Sequence, residues 1–138
     1  MYMKLLSKLR FWNPTPKFPN IFSAKVLEIQ KHPNADRLRI IKLSLGNNII
    51  DPVVCGAFNF NVGDIVALAL PGASIQQNIH SETHEPFILA KAKIRGVESQ
   101  GMLCAAYELG LAKTPGEGIM VLKPDTPSGR PFQSKMLE

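Results

Sequence analysis

The sequence predicts an all-β domain, built as a sandwich or a small barrel. Three observations carry this reading. Five or six short runs are rich in strand-forming residues, glycine, proline or asparagine punctuates nearly every junction, and little of the chain has helical spacing. The 138 residues suffice for one domain and are too few for two ordinary ones.

Residues 1–12 (MYMKLLSKLRFW) carry Leu5, Leu6 and Leu9 at helical spacing among Lys4, Lys8 and Arg10, which fits a short amphipathic helix or a frayed arm. Residues 13–20 (NPTPKFPN) hold three prolines and read as an extended linker. The first strand is expected over 22–30 (FSAKVLEIQ). The next segment, 32–37 (HPNADR), is a turn: Pro33 fixes φ, and Asn34 and Asp36 offer acceptors to nearby N–H groups. A second strand follows over 38–45, a hairpin turn at Gly46-Asn47-Asn48, and a third strand over 49–54. Pro52 marks that strand as an edge or the site of a bulge. Residues 56–63 (GAFNFNVG) read as a loop or a short turn of helix, and 64–70 (DIVALAL) as a strongly apolar fourth strand.

Pro71-Gly72 turns the chain into a polar loop over 75–86. A fifth strand is expected over 87–95 (FILAKAKIR), with Lys91, Lys93 and Arg95 on one face and Ala92 and Ile94 on the other. Residues 105–109 read as a short helix capped by Gly110, and 118–122 as a last short strand. Residues 126–138 are expected to be an extended tail. The expected organisation is a basic arm and linker (1–20), the β domain (21–125) and the tail.

Charge and composition exclude several classes. The net charge is +5, and residues 1–50 carry nine basic against two acidic residues, while 51–138 carry seven against nine. A positive face for a polyanion fits this distribution, as do ordinary solvated lysines. Cys55 and Cys104 stand alone, with no CxxC pair for zinc or redox chemistry, and read as buried thiols. No apolar run approaches the roughly 20 residues of a membrane helix. No small-residue cleavage site follows the arm, which argues against a secretory signal and leaves a short organellar presequence open. A cytoplasmic location is expected.

No Walker loop, GxGxxG, Ser-His-Asp context or paired carboxylates offer a catalytic centre. His80-x-Glu82-x-His84 would share a face in a strand. A polar loop with solvated histidines is the preferred reading, and no metal or cofactor is expected. The stretch 91–102 (KAKIRGVESQGM) can follow a phosphate backbone with its three alternating cations. Ser99 and Gln100 supply short-range donors there, and Met102 an adaptable apolar contact. A charged outer face followed by a turn explains the same residues.

Four stretches together resemble the tRNA-binding domain family: HPNADRL (32–38), VVCGAFNFNVGD (53–64), ALPGA (69–73) and KAKIRGVESQGMLCAAYELGL (91–111). The likeness spans about residues 20–125. It is greatest to the OB-fold near the N-terminus of the bacterial phenylalanyl-tRNA synthetase beta subunit. The resemblance implies a five-stranded Greek-key OB-fold barrel that recognises tRNA by shape and catalyses nothing itself. Carried over by position, it implies RNA contacts at Lys91, Lys93, Arg95, Ser99, Gln100 and Met102. Asn34, Arg37 and Asn59 are further candidates, each with a structural alternative; for Asn34 and Asn59, local hydrogen bonds in turns explain the residue equally well. The parts that follow in that subunit are absent, so a free-standing relative, an excised fragment or a truncated product is expected. The alternative is a protein-interaction or dimerisation module with weak RNA binding. It would dock on a synthetase alpha subunit or a second copy through the 1–12 arm, Phe58 and Phe60, and the proline-rich tail.

Overall fold

The apolar–polar alternation of the first half becomes a curled antiparallel sheet in the computed structural model, which describes residues 16–137. Strands β1 (Ile21–Lys31), β2 (Arg39–Ser44) and β3 (Ile49–Cys55) form a meander, and β4 (Ile65–Ala69) returns to the other side of β1. Four two- or three-residue strands follow before the sheet is rejoined: β5 (Ser74–Ile75), β6 (Phe87–Ile88), β7 (Ala92–Ile94) and β8 (Val97–Ser99). Then β9 (Met102–Leu103) pairs with β4, giving the order β3-β2-β1-β4-β9.

The two ends of that order approach each other. Gln100 N–H donates to Pro52 O at 2.8 Å, and Val54 N–H donates to Ser99 Oγ at 2.9 Å. The sheet therefore curls into an OB-like barrel, as expected. β1 serves both halves: Ile21–Lys25 pairs with β4 and Lys25–Lys31 with β2. An irregularity between Val26 and Glu28 lets the strand bend between its partners. In β3 the register shifts opposite Lys42, beside Asp51 and Pro52, where proline's missing N–H costs no ladder bond.

β4 is buried along its whole length because both of its faces are covered. Val66 and Leu68 enter the barrel interior with Val26, Ile41, Leu43, Val53 and Phe60. Ile65, Ala67 and Ala69 face an outer cluster with Cys104, Leu109, Leu122 and Phe132. Each fully buried Val, Leu or Phe contributes roughly 1.5–3 kcal/mol of transfer free energy, so this strand joins two cores.

Several expectations are corrected. The fifth strand over 87–95 is two strands: β6 pairs with β5, and β7 with β8. Arg95 and Gly96, at φ +53° and +91°, form a two-residue hairpin connection, which ends β7 at Ile94. The short helix is a 3-10 turn at Tyr107–Leu109, closed by Gly110 at φ +74°. The last strand contracts to one bridge, Val66 to Val121. The tail is not simply extended but folds back on β1 and ends in a 3-10 turn, Ser134–Met136. Gly129 and Phe132 N–H groups donate to Ser23 O (2.7 Å) and Ile21 O (2.8 Å). The Ser23 hydroxyl donates to Pro127 O at 2.6 Å. The Phe132 ring packs edge-on against Phe18, centroids 5.2 Å apart, so part of the linker is also in the core. The 1–12 arm lies outside the described residues.

Candidate nucleic-acid interface

Three loops meet at one end of the barrel: the β7–β8 hairpin, the turn after β1, and the loop after β3. The turn is closed by His32 N–H to Leu38 O at 3.3 Å. His32 is 2% exposed. Its Nδ1 accepts the Asn34 N–H at 3.0 Å, which leaves Nε2–H to donate to Ile94 O at 3.0 Å. That pair of bonds selects the tautomer and ties the turn to the hairpin. Asn34 Nδ2 adds a bond to Arg95 O at 3.1 Å. Arg95 in the left-handed region is strained by about 1 kcal/mol, and these bonds hold it there. On the other side, a Cβ added to Gly56 would lie 3.4 Å from Leu38 Cδ2 and 3.7 Å from Arg37 O, so the third loop runs against the same turn.

Lys91, Lys93 and Arg95 are exposed, but they do not form one strand row. Lys91 precedes β7, Lys93 lies mid-strand opposite Glu98, and Arg95 occupies the hairpin turn. The ion pair among the described residues is Lys42 with Glu28, at 3.1 Å, so these three cations carry no carboxylate partner there. Arg37 is exposed nearby in the adjoining turn. The arrangement can follow phosphates at the rim of the hairpin, with Arg95 already anchored through Nη2 to Asn34 O at 3.4 Å.

Ser99 is placed differently from the exposed loop position expected of it. It is 4% exposed. Its hydroxyl accepts from Val54 N–H and donates to Gly101 O at 2.8 Å, closing β8 onto β3. Gln100 is half-buried, 3.4 Å from Glu98 through its amide. Gly101 approaches β4 rather than a ligand: a Cβ there would lie 2.6 Å from Ala69 O. Asn59 uses both ends of its amide on Ile119, donating to its O at 2.8 Å and accepting its N–H at 3.0 Å.

Met102 is half-buried and lines a groove of about 610 Å³. The groove opens between Ala92 and Ile94 on the hairpin, the Gly56–Ala57 corner, and Tyr107. Glu108 lies in the same wall, its Oε1 accepting Ala105 N–H at 2.8 Å. Burial raises its carboxyl above the ordinary glutamate value, opposed by that N–H and by His80. Burial also raises both thiols, Cys55 and Cys104, so neither offers a thiolate at neutral pH. His84 bonds the Tyr107 hydroxyl at 2.9 Å.

Sequence reasoning missed His32 and Arg39. The histidine's signal was its place at the head of a turn whose N–H groups need acceptors. Arg39 is paired in register with Lys31 and Cys55. Its Nη2 donates to Ala57 O (3.0 Å) and Phe60 O (3.4 Å), and its guanidinium carbon lies 4.6 and 4.7 Å from the Phe58 and Phe60 ring centroids.

Known proteins resemble this chain in sequence and in fold. A family model described as "Putative tRNA binding domain" matches residues 21–131. The phenylalanine–tRNA ligase beta subunit of Bdellovibrio bacteriovorus is 42% identical over 120 residues, covering 87% of this chain and 14% of that protein. The beta subunit from Geobacter sulfurreducens is 48% identical over 109 residues, covering 79% and 12%. The chain thus spans about one-seventh of the length of these relatives. The crystal structure of a MetRS related protein from Pyrococcus horikoshii shares the fold, with a TM-score of 0.57 at 20% identity over 91% of this chain and 95% of that one.

Proposed function

The chain belongs to the tRNA-binding domain family, and from that premise we propose that it binds tRNA by the shape of the folded backbone, without chemistry of its own. It does so as a domain of a phenylalanine–tRNA ligase beta subunit or as a free-standing relative. The observation that carries the reading is the exposed trio Lys91, Lys93 and Arg95, unpaired among the described residues, on a hairpin fixed by His32 and Asn34. A hairpin whose backbone is already held loses little freedom when its cations meet phosphates, and each contact releases counterions.

Filter binding of bulk tRNA at rising salt tests this. Affinity is expected to fall with a log–log slope of about −2 to −3, the value for three phosphate contacts. Equal affinity for a DNA duplex of matched length would reject recognition of shape. A salt-independent affinity would reject the cationic hairpin as the surface.

A further inference from the structure

We propose that Phe58 is a stacking platform for one unpaired base of the bound RNA. This goes beyond the phosphate contacts and rests on the RNA-binding reading. Phe58 is 57% exposed, while its neighbour Phe60 is fully buried. An exposed ring in a loose loop would mean little, but this loop is fixed on both sides of the ring. Ala57 O and Phe60 O accept from the Arg39 guanidinium. The Asn59 amide makes two bonds to the Ile119 backbone. Phe60 anchors the loop in the barrel interior. Phe58 is therefore held outward with little freedom to turn in.

Its setting suits a nucleotide. The Arg39 guanidinium lies over the ring, 4.6 Å from its centroid, and adds positive charge beneath a surface that a base would cover. Lys31 sits beside Arg39 in the strand register, and Arg37 O lies against Gly56, two residues from Phe58. No carboxylate occurs between Asp51 and Asp64 in the sequence. The Gly56–Ala57 corner also borders the groove that Ala92 and Ile94 of the hairpin line. A strand whose phosphates meet the cations at the rim of the hairpin can pass over the groove and set a base on Phe58. Base–aromatic stacking is tolerant of sequence, which agrees with recognition by shape.

The test compares Phe58→Ala and Phe58→Trp with the parent, using bulk tRNA, a single-stranded RNA 12-mer and an RNA duplex. Phe58→Ala is expected to weaken tRNA and 12-mer binding about tenfold with the salt slope unchanged, since no charge is lost. Phe58→Trp is expected to restore binding. In a Trp12→Phe background its fluorescence should be quenched by tRNA and by the 12-mer, and not by the duplex, whose bases stack on one another. Parent-like binding by Phe58→Ala overturns the proposal and leaves tRNA binding standing. Equal quenching by the duplex overturns it too. A parent that binds no tRNA removes both readings. If Phe58→Ala instead lowers the mass seen by light scattering and leaves RNA affinity intact, the ring belongs to a contact between copies. Should Phe58→Ala lose stability, the quenching of Phe58→Trp decides.

Discussion

The two faces of the β7–β8 hairpin carry polar side chains for opposite ends. On the exposed side Lys91 before β7, Lys93 within it and Arg95 in the turn reach solvent without a carboxylate partner among the described residues. On the inner side His32 and Ser99 are nearly excluded from water, and each makes one accepting and one donating bond. An exposed cation costs the fold little and is free to bind. A buried hydroxyl or imidazole must be matched, and once matched it fixes the backbone around it. The hairpin strands are only three residues each, too short to hold their own position. The inner polar groups supply what the ladder cannot, and the outer cations are presented from that support.

Substitutions on the inner side should therefore act on folding. The largest effect is expected for Ser99→Leu, which removes both bonds and forces a larger side chain between β3 and β8. A loss of about 3 kcal/mol or more in urea denaturation is the expected outcome. Ser99→Ala should cost about 1–3 kcal/mol, because Val54 N–H and Gly101 O are left unmatched. A Ser99→Leu variant as stable as the parent would break the contrast between the faces. His32→Ala comes next, at about 2 kcal/mol, from two lost bonds and a small cavity. Hydrogen exchange should accelerate around Ile94–Val97 before it does in β1 and β4. Equal acceleration in the barrel wall would show that the imidazole supports the whole fold rather than the hairpin.

How much of this could be read in the sequence depends on the reach of the interactions. β1 to β4 follow from alternation and turn chemistry, which act over a few residues. The register shift at Pro52 follows from a missing donor. Alternation read only as far as Gly96 leaves Ser99 in a loop, whereas the hairpin carries it into β8 opposite Ala92, on the face away from Lys93 and Glu98. Alternation alone puts Arg95 on a strand face, but Arg95 and Gly96, both at positive φ, turn the chain there. The tail's docking depends on Ser23, 104 residues away from Pro127, and prolines hide it by removing local donors. The Arg39–Phe58 contact crosses from a strand to a loop and leaves no local pattern.

The outer face should respond in binding alone. Lys93→Ala is expected to weaken all tRNAs alike, by about five- to tenfold near ~0.1 M salt, and to make the salt slope shallower by about one. Stability should stay within about 0.5 kcal/mol of the parent, checked by the same urea titration. A stability loss comparable to that of Ser99→Ala would show that the outer face also supports the fold.

The smallest effect sharpens the comparison from the inner side, by asking whether every buried polar group there helps the fold. Glu108 is nearly buried, and burial raises its carboxyl, with the Ala105 N–H and His80 acting the other way. Its folded value therefore lies above its unfolded one, so the folded state holds the proton more tightly. That contribution to stability is complete below the unfolded value, about 4.3 for glutamate, and is lost as pH rises through the folded value. Above both, the ionised carboxylate opposes folding. Glu108→Gln keeps an oxygen for the Ala105 N–H and cannot ionise. Relative to the parent, the variant should gain stability as the pH rises from about 4 to about 7.5. Urea midpoints at the two pH values read this directly. A parent–variant difference that does not change with pH would mean that the carboxylate is as well matched as Ser99, and that the inner side holds charge without cost.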